Sequence, residues 1–198
     1  MAEILPIKAW RYNKSLSENI ESLTSPLFDV VSDKQRNKLY ENEFNSIHLS
    51  VPKGENAALN AASILKKWKA SGIISQDQLP GIYVYYQYFT LSGGHKELCR
   101  KGFICNIKAY DWNEKQIFRH ENTIPKSVND RIDLLEKTKL NVSPTHGLYT
   151  DVNHELEAYM DEAILNPVFV TEDYQGVKDV LAIIDEPEIV KYFIDLIA

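Results

Sequence analysis

The residues best equipped for chemistry lie in one arc, HENTIPKSVNDRIDLLEKTKLNVSPTHGLYTD, running from His120 to Asp151. It holds His120, Glu121, Thr123, Lys126, Asp130, Arg131, Asn141, Ser143 and His146 among turn-forming prolines. A candidate base, polar donors and two cations are the kit that orients an anionic substrate. Loops and strand ends are also where such sites are usually built. A plainer reading stands beside it, in which the arc is a capped helix followed by a solvated loop. If the chain is extended through His120 and Glu121, their side chains point to opposite faces, so both join one site only where the backbone bends. Arg131 lies beside Leu134 and Leu135 and can equally cover a core edge with its head in water. Asn141-Val142-Ser143-Pro144 also fits a side-chain-stabilised turn.

Outside the arc, Arg11 stands between Trp10 and Tyr12, where it suits an anion or an aromatic face. Gly93-Gly94 could bring amides to a phosphate, but its position at a hairpin tip reads as a turn. Cys99 and Cys105 fall on one expected strand, about 20 Å apart. A disulfide needs Cα atoms within about 7 Å, so they do not pair, and a reducing, cytoplasmic compartment is expected. Cys105 alternates with apolar neighbours and reads as a small core residue rather than a nucleophile. The five histidines show no metal-ligand spacing on a common helix, which argues against zinc. Phosphate-loop, dinucleotide-binding, H-E-x-x-H and C-x-x-C patterns are absent.

The elements that must position these groups belong to an ordinary globular chain of 198 residues, 44% apolar and 25% charged. The 22 basic and 28 acidic residues leave a net charge of −6, which argues against a surface that tracks nucleic-acid phosphates. No apolar run approaches the roughly 18 residues of a membrane span, and no secretory signal is visible in MAEILPIKAW. The periodicities predict a mixed α+β protein: a central, mostly antiparallel sheet with packed helices, then a small C-terminal α/β portion. We place the boundary between residues 151 and 152, with 152–198 as the start of the second portion.

Individual elements follow from local signals. Ser32 caps a short helix in DKQRNKLYEN, and FNSIHLSV alternates as a strand does. Ala58, Ala61, Ala62, Leu65 and Trp68 form a helical stripe that Gly72 ends. IYVYYQYFT and KGFICNIKAY make a hairpin across Ser92-Gly93-Gly94-His95, and KQIFRHE reads as a third strand. Ser127 and Asp130 form a capping pair ahead of a helix to about Thr138, with Val128, Ile132 and Leu135 inward. His154 to Leu165 is helical, PVFVTE and KDVLAIID are strands, and Pro187 opens a final helix. That helix stops at Ala198 in apolar residues without a cap, so we expect the chain to continue beyond it.

Five segments occur here in an order and spacing that carry a resemblance. They are LPIKAWRYN, SPLFDVVS, FNSIHLSVPKG, GIYVYYQYFTLSGGHKELCRKGFICNIKAYDW and the arc itself. Together they resemble the N-terminal half of a bacterial family, domain of unknown function 1015. Its C-terminal half carries an Asp-Gly-His-His-Arg motif resembling the ParB/sulfiredoxin superfamily, which includes nucleotide-dependent free-serine kinases. On that resemblance His120, Glu121, Thr123, Lys126, Asp130 and Arg131 match the central motif, with Asn141, Ser143 and Pro144 following; Arg11, Pro26 and Asp29 match the first two segments. The sequence departs from the family pattern at His48, Leu27-Phe28 and Thr145-His146.

The resemblance implies the N-terminal part of a nucleotide-dependent phosphotransferase acting on a small polar metabolite, free serine among the candidates. Lys126 and Arg131 would neutralise phosphate charge, assisted by Arg11, Asp29, Thr123, Asn141 and Ser143 as binding groups. Glu121 or Asp130 would orient or deprotonate the acceptor hydroxyl, with His120 as a further base. ATP or ADP with Mg²⁺ is the implied cofactor, a small anionic molecule the substrate, and a homodimer is left open. The alternative is a non-catalytic binding or scaffold module of a ParB-like protein.

Overall fold

A computed structural model describes residues 2–119, 123–173 and 176–197. In chain order the elements are β1 (Ile4–Leu5), β2 (Trp10–Tyr12), α1 (Lys14–Ser17), α2 (Asp33–Leu39), α3 (Ile47–Ser50), α4 (Ala57–Ala70) and β3 (Ile74–Gln76). Then come β4 (Ile82–Thr90), β5 (Glu97–Ile104), β6 (Asn106–Ile107), α5 (Pro125–Thr138), α6 (Glu157–Ala163), β7 (Phe169–Glu172), β8 (Lys178–Ile184) and α7 (Pro187–Ile197). The class is α+β, as the periodicities predict. Two compact units divide the chain: one holds Met1–Trp10, Gln76–His120 and Tyr149–Ala198, the other Arg11–Ser75 and Glu121–Leu148.

The first unit is built on a four-stranded antiparallel sheet of order β5-β4-β8-β7. Aromatic and β-branched residues make β4 its natural centre. Ile82, Val84 and Tyr86 share one face with Val180, Ala182 and Ile184, and that face is covered by Leu156 and Met160 at α6 and by Val190 and Phe193 of α7. The hairpin expected over 82–110 is present, though its return strand runs Glu97–Ile104 and Cys105 lies just after it. Residues beyond 152, expected to open a separate portion, supply β7 and β8 to the hairpin's own sheet.

The second unit is helical. Ala58, Ala61, Leu65 and Trp68 of α4 are buried at three- and four-residue spacing, and α4 packs on α3 and α5. Gly72, at φ +70°, turns the chain after α4 as its sequence position predicts. Ser32 caps α2 in a reciprocal box with Gln35.

Three sequence expectations are corrected. FNSIHLSV is not a strand; its centre forms α3. Asn45, fully buried, donates from Nδ2 to the carbonyls of Ser22 (2.9 Å) and Thr24 (2.8 Å) and accepts from the Ile47 amide (2.9 Å). That side-chain clasp competes successfully with strand pairing. KQIFRHE is not a strand over its described part, 115–119; a short 3-10 turn at Trp112–Glu114 precedes it and Lys115 adopts φ +56°.

The third correction concerns α5, which starts at Pro125, so Ser127 and Asp130 lie inside the helix rather than at its cap. Proline at the first helical position, whose missing N–H is no loss there, was the stronger start signal. Its buried residues are Leu134 and Thr138, while Ile132 and Leu135 face outward and Arg131 sits one turn before Leu134.

Candidate functional site

The second unit contains every predicted site residue that the structure describes. His120 and Glu121 lie outside the described residues. Thr123 and Lys126 are exposed, the former just before α5 and the latter in its first turn. Asn141 is exposed and Ser143 half-buried in the loop after α5. Arg11 is half-buried in β2, and Asp29 is exposed in the turn that follows Pro26. Asp130 and Arg131 contact each other.

Arg131 is nevertheless a meeting point. Its Nη1 donates to the Ser50 carbonyl at 2.6 Å, and its guanidinium carbon lies 4.3 Å from the centre of the Phe28 ring. Nε and Nη2 both reach Asp130 Oδ2, the former at 3.1 Å. The guanidinium is therefore held in plane by an aromatic face and along its edge by two acceptors, which is pre-organisation of a kind lysine cannot reproduce.

Ser50 Oγ lies 3.3 Å from Ser25 Oγ, which in turn lies 3.1 Å from Ser46 Oγ. Three hydroxyls thus form a chain that ends on the residue whose carbonyl Arg131 contacts. Tyr12 ties the first segment to the same region, its hydroxyl 2.7 Å from the Phe44 carbonyl and 3.3 Å from that of Leu23. Burial pushes the Tyr12 phenol well above the usual tyrosine range, so it acts as a donor at any physiological pH. Four of the five segments that carry the family resemblance are interlocked here, around Tyr12, Ser25 with Phe28, Ser46 with Ser50, and Arg131.

His48 and Tyr40 extend the cluster. The two rings are 5.4 Å apart, and His48 Nε2 lies 3.1 Å from the Asn42 carbonyl, which calls for hydrogen on that nitrogen. Tyr40 donates its hydroxyl to the Val51 carbonyl. Burial raises the Tyr40 pKa, against the pull of Arg36. A cleft of about 510 Å³, open to solvent, is lined by Lys38, Glu41, Asn42, Glu43 and Phe44 on this unit. None of the residues singled out from the sequence lines it.

A second polar cluster, in the first unit, escaped sequence reasoning. Lys101 Nζ contacts Glu157 and both oxygens of Asp161 (2.7 and 3.0 Å), and Tyr86 donates to Asp161 Oδ1 at 2.7 Å. His154 Nδ1 lies 2.8 Å from Glu157 Oε2. Half of the signal was available, since Glu157 and Asp161 are four apart on one helix face. The other half, the cross-strand pairing of Tyr86 with Lys101, exists only once β4 and β5 are in register. Lysine, carboxylates and phenol satisfy one another, so the cluster reads as a latch of α6 on the sheet.

Among the described residues, no group of three or more His, Cys, Asp or Glu could hold a metal ion, and no helix is long and apolar enough to cross a membrane. Cys99 and Cys105 are unpaired. No curated protein and no solved structure matches the chain. A family model does, over residues 4–198, and it is the one described as protein of unknown function DUF1015. That match takes in the segments that interlock around Arg131, and the chain belongs to the DUF1015 family.

Proposed function

We propose that the chain is the N-terminal part of a nucleotide-dependent phosphotransferase acting on a small polar metabolite, with free serine the acceptor that the resemblance suggests. The observation that carries this reading is the fixed Arg131 guanidinium on the carbonyl of Ser50, whose hydroxyl is linked to those of Ser25 and Ser46. Phosphoryl transfer asks the protein chiefly for positioned positive charge and hydrogen-bond donors. A guanidinium has five N–H donors, and the contacts to Ser50 and Asp130 engage three of them. Two therefore remain for a phosphate oxygen.

In this scheme Lys126 approaches the same anion from the first turn of α5, and Arg11, Asp29, Thr123, Asn141 and Ser143 supply further polar contacts. Glu121 or Asp130 orients or deprotonates the acceptor hydroxyl, and His120 serves as an additional base. ATP or ADP with Mg²⁺ would supply the phosphoryl group, and Lys126 and Arg131 would hold its phosphates. Calorimetric titration of ATP and ADP, each with Mg²⁺, into the chain tests the reading. Saturable heat is expected, and no heat from either nucleotide would remove the proposal.

One observation favours the alternative of a non-catalytic module. Arg131 already spends donors on a backbone carbonyl and a neighbouring carboxylate, as a structural clamp would. Under that reading Arg131→Gln lowers stability yet leaves nucleotide titration unchanged. The phosphotransferase reading requires both to change.

A further inference from the structure

We infer that the anion seat has a second cationic half, built by Lys53 and Arg36 around Tyr40, and that it takes a chain of linked phosphates rather than a single one. The inference deepens the reading above and rests on it. Its starting point is the end of α3. Arg131 donates to the Ser50 carbonyl and Tyr40 to the Val51 carbonyl. These belong to adjacent residues, whose Cα atoms are about 3.8 Å apart. Two side chains from different helices therefore arrive at one short stretch of backbone.

Tyr40 brings cations with it. Lys53 Nζ sits 3.6 Å from the centre of the Tyr40 ring. The loop that holds it is fixed: Asn60 Nδ2 donates to the Lys53 carbonyl at 2.7 Å, and Gly54 follows at φ +95°. A side chain at Gly54 would be strained by that backbone and would press on Asn60 Nδ2 at 3.0 Å. Lys53 is exposed, and among the described residues its ammonium has no carboxylate partner. A lysine that is held in place yet unpaired, in a chain of net charge −6, is a free cation at a defined position.

Arg36, on α2, lies one helical turn before Tyr40, the residue that ends that helix. Its Nη2 pairs with Asp33 at 3.0 Å, but its Nε is buried and has no acceptor among the described residues. A buried donor without an acceptor is unfavourable, and such groups usually mark a place where an acceptor arrives. Asp33 and Asp130 are the carboxylates paired with the arginines on either side, and His48 faces Tyr40. A single carboxylate or phosphate would engage only the Arg131 half. Linked phosphates reach both.

The test compares tripolyphosphate with orthophosphate by calorimetry at low salt, on the wild-type chain and on Lys53→Gln. Among the described residues Lys53 makes no side-chain hydrogen bond, so the variant folds, and circular dichroism checks this. Removing one charge-assisted contact is expected to weaken tripolyphosphate about tenfold while orthophosphate binding stays unchanged. Equal tripolyphosphate affinity in the two proteins would overturn the inference, as would equal wild-type affinity for both anions. A parallel titration with Mg·ATP separates the two levels. Mg·ATP binding that ignores Lys53→Gln refutes the second half alone. Lys53-dependent tripolyphosphate binding with no heat from Mg·ATP or Mg·ADP leaves the seat standing and removes the nucleotide reading.

Discussion

Replacing Arg131 with methionine keeps an apolar stem of similar reach and deletes the charged head. Three contacts are lost. The bond to the Ser50 carbonyl has a charged donor at 2.6 Å, a class that contributes about 1.5–3 kcal/mol. Stacking on Phe28 adds about 0.5–1 kcal/mol, part of which a thioether over the same ring restores. The Asp130 pair counts for little, roughly 0–1 kcal/mol, because that carboxylate is 62% exposed and screened by water. Arg131 is itself 20% exposed, so water can reach the orphaned carbonyl in part.

The loss therefore comes to about 2–3 kcal/mol in the second unit. Urea unfolding followed by Trp68 fluorescence measures it, with Trp10 and Trp112 changed to phenylalanine. Trp68 is buried and its ring lies 6.0 Å from Tyr12 and 6.5 Å from Phe44 in the same unit. Arg131→Lys, which keeps charge but not the planar fork, should recover about half of the loss. An Arg131→Met protein within about 0.5 kcal/mol of wild type would refute the claim that Arg131 organises this cluster.

Asn45→Ala removes three hydrogen bonds from a fully buried position and takes Asn45 from the Thr24 carbonyl and the Ile47 amide, while the Ser22 carbonyl keeps Asn42 Nδ2, so a loss of about 3 kcal/mol is expected in the same assay; a loss near zero would mean that α3 forms without the clasp. Hydrogen bonds from Lys101 and His154 hold the Glu157 carboxyl below its ordinary 4.5. Burial works to raise Asp161, but bonds from Lys101 and Tyr86 outweigh it and leave that carboxyl below 3.8. Such carboxylates contribute stability that is present above their ordinary values and lost as pH falls through the lowered ones. The acid limb of a pH–stability profile below pH 4.5 should thus be steeper in wild type than in Lys101→Met, and superimposable limbs would contradict it. Burial pushes the Cys105 thiol up to about 11, whereas Cys99 is exposed, so iodoacetamide at neutral pH should label Cys99 first; peptide mass mapping reads the order, and faster labelling of Cys105 would count against its burial.

Local chemistry made much of the fold legible. The aromatic run Tyr83–Tyr88 and the Ser92–His95 turn identify the hairpin, the alanine stripe identifies α4, and Pro187 marks the start of α7. What stayed hidden depended on partners distant in sequence. Asn45 bends FNSIHLSV into α3 only because the Ser22 and Thr24 carbonyls are waiting for it. The inward face of α5 was misread because a long arginine stem takes a place where an apolar residue was expected.

The site divides in the same way. Asp130 and Arg131 stand out by type and spacing, but Ser25, Ser46, Ser50, Phe28, Tyr40 and Lys53 are individually unremarkable residues. They acquire meaning through contacts with residues distant in the chain, such as Arg131 with Ser50, 81 residues apart. Lys126 and Asn141, prominent in the sequence, are exposed.

The central claim is that the family's interlocked segments form an anion seat around Arg131. Backbone amide NMR of the chain, recorded as Mg·ATP is added, tests it most directly. Shifts concentrated at 25–29, 46–53 and 130–131, and abolished in Arg131→Gln, are the predicted result. Shifts centred instead on Lys101, Glu157 and Asp161, or no shifts at saturating nucleotide, would contradict it.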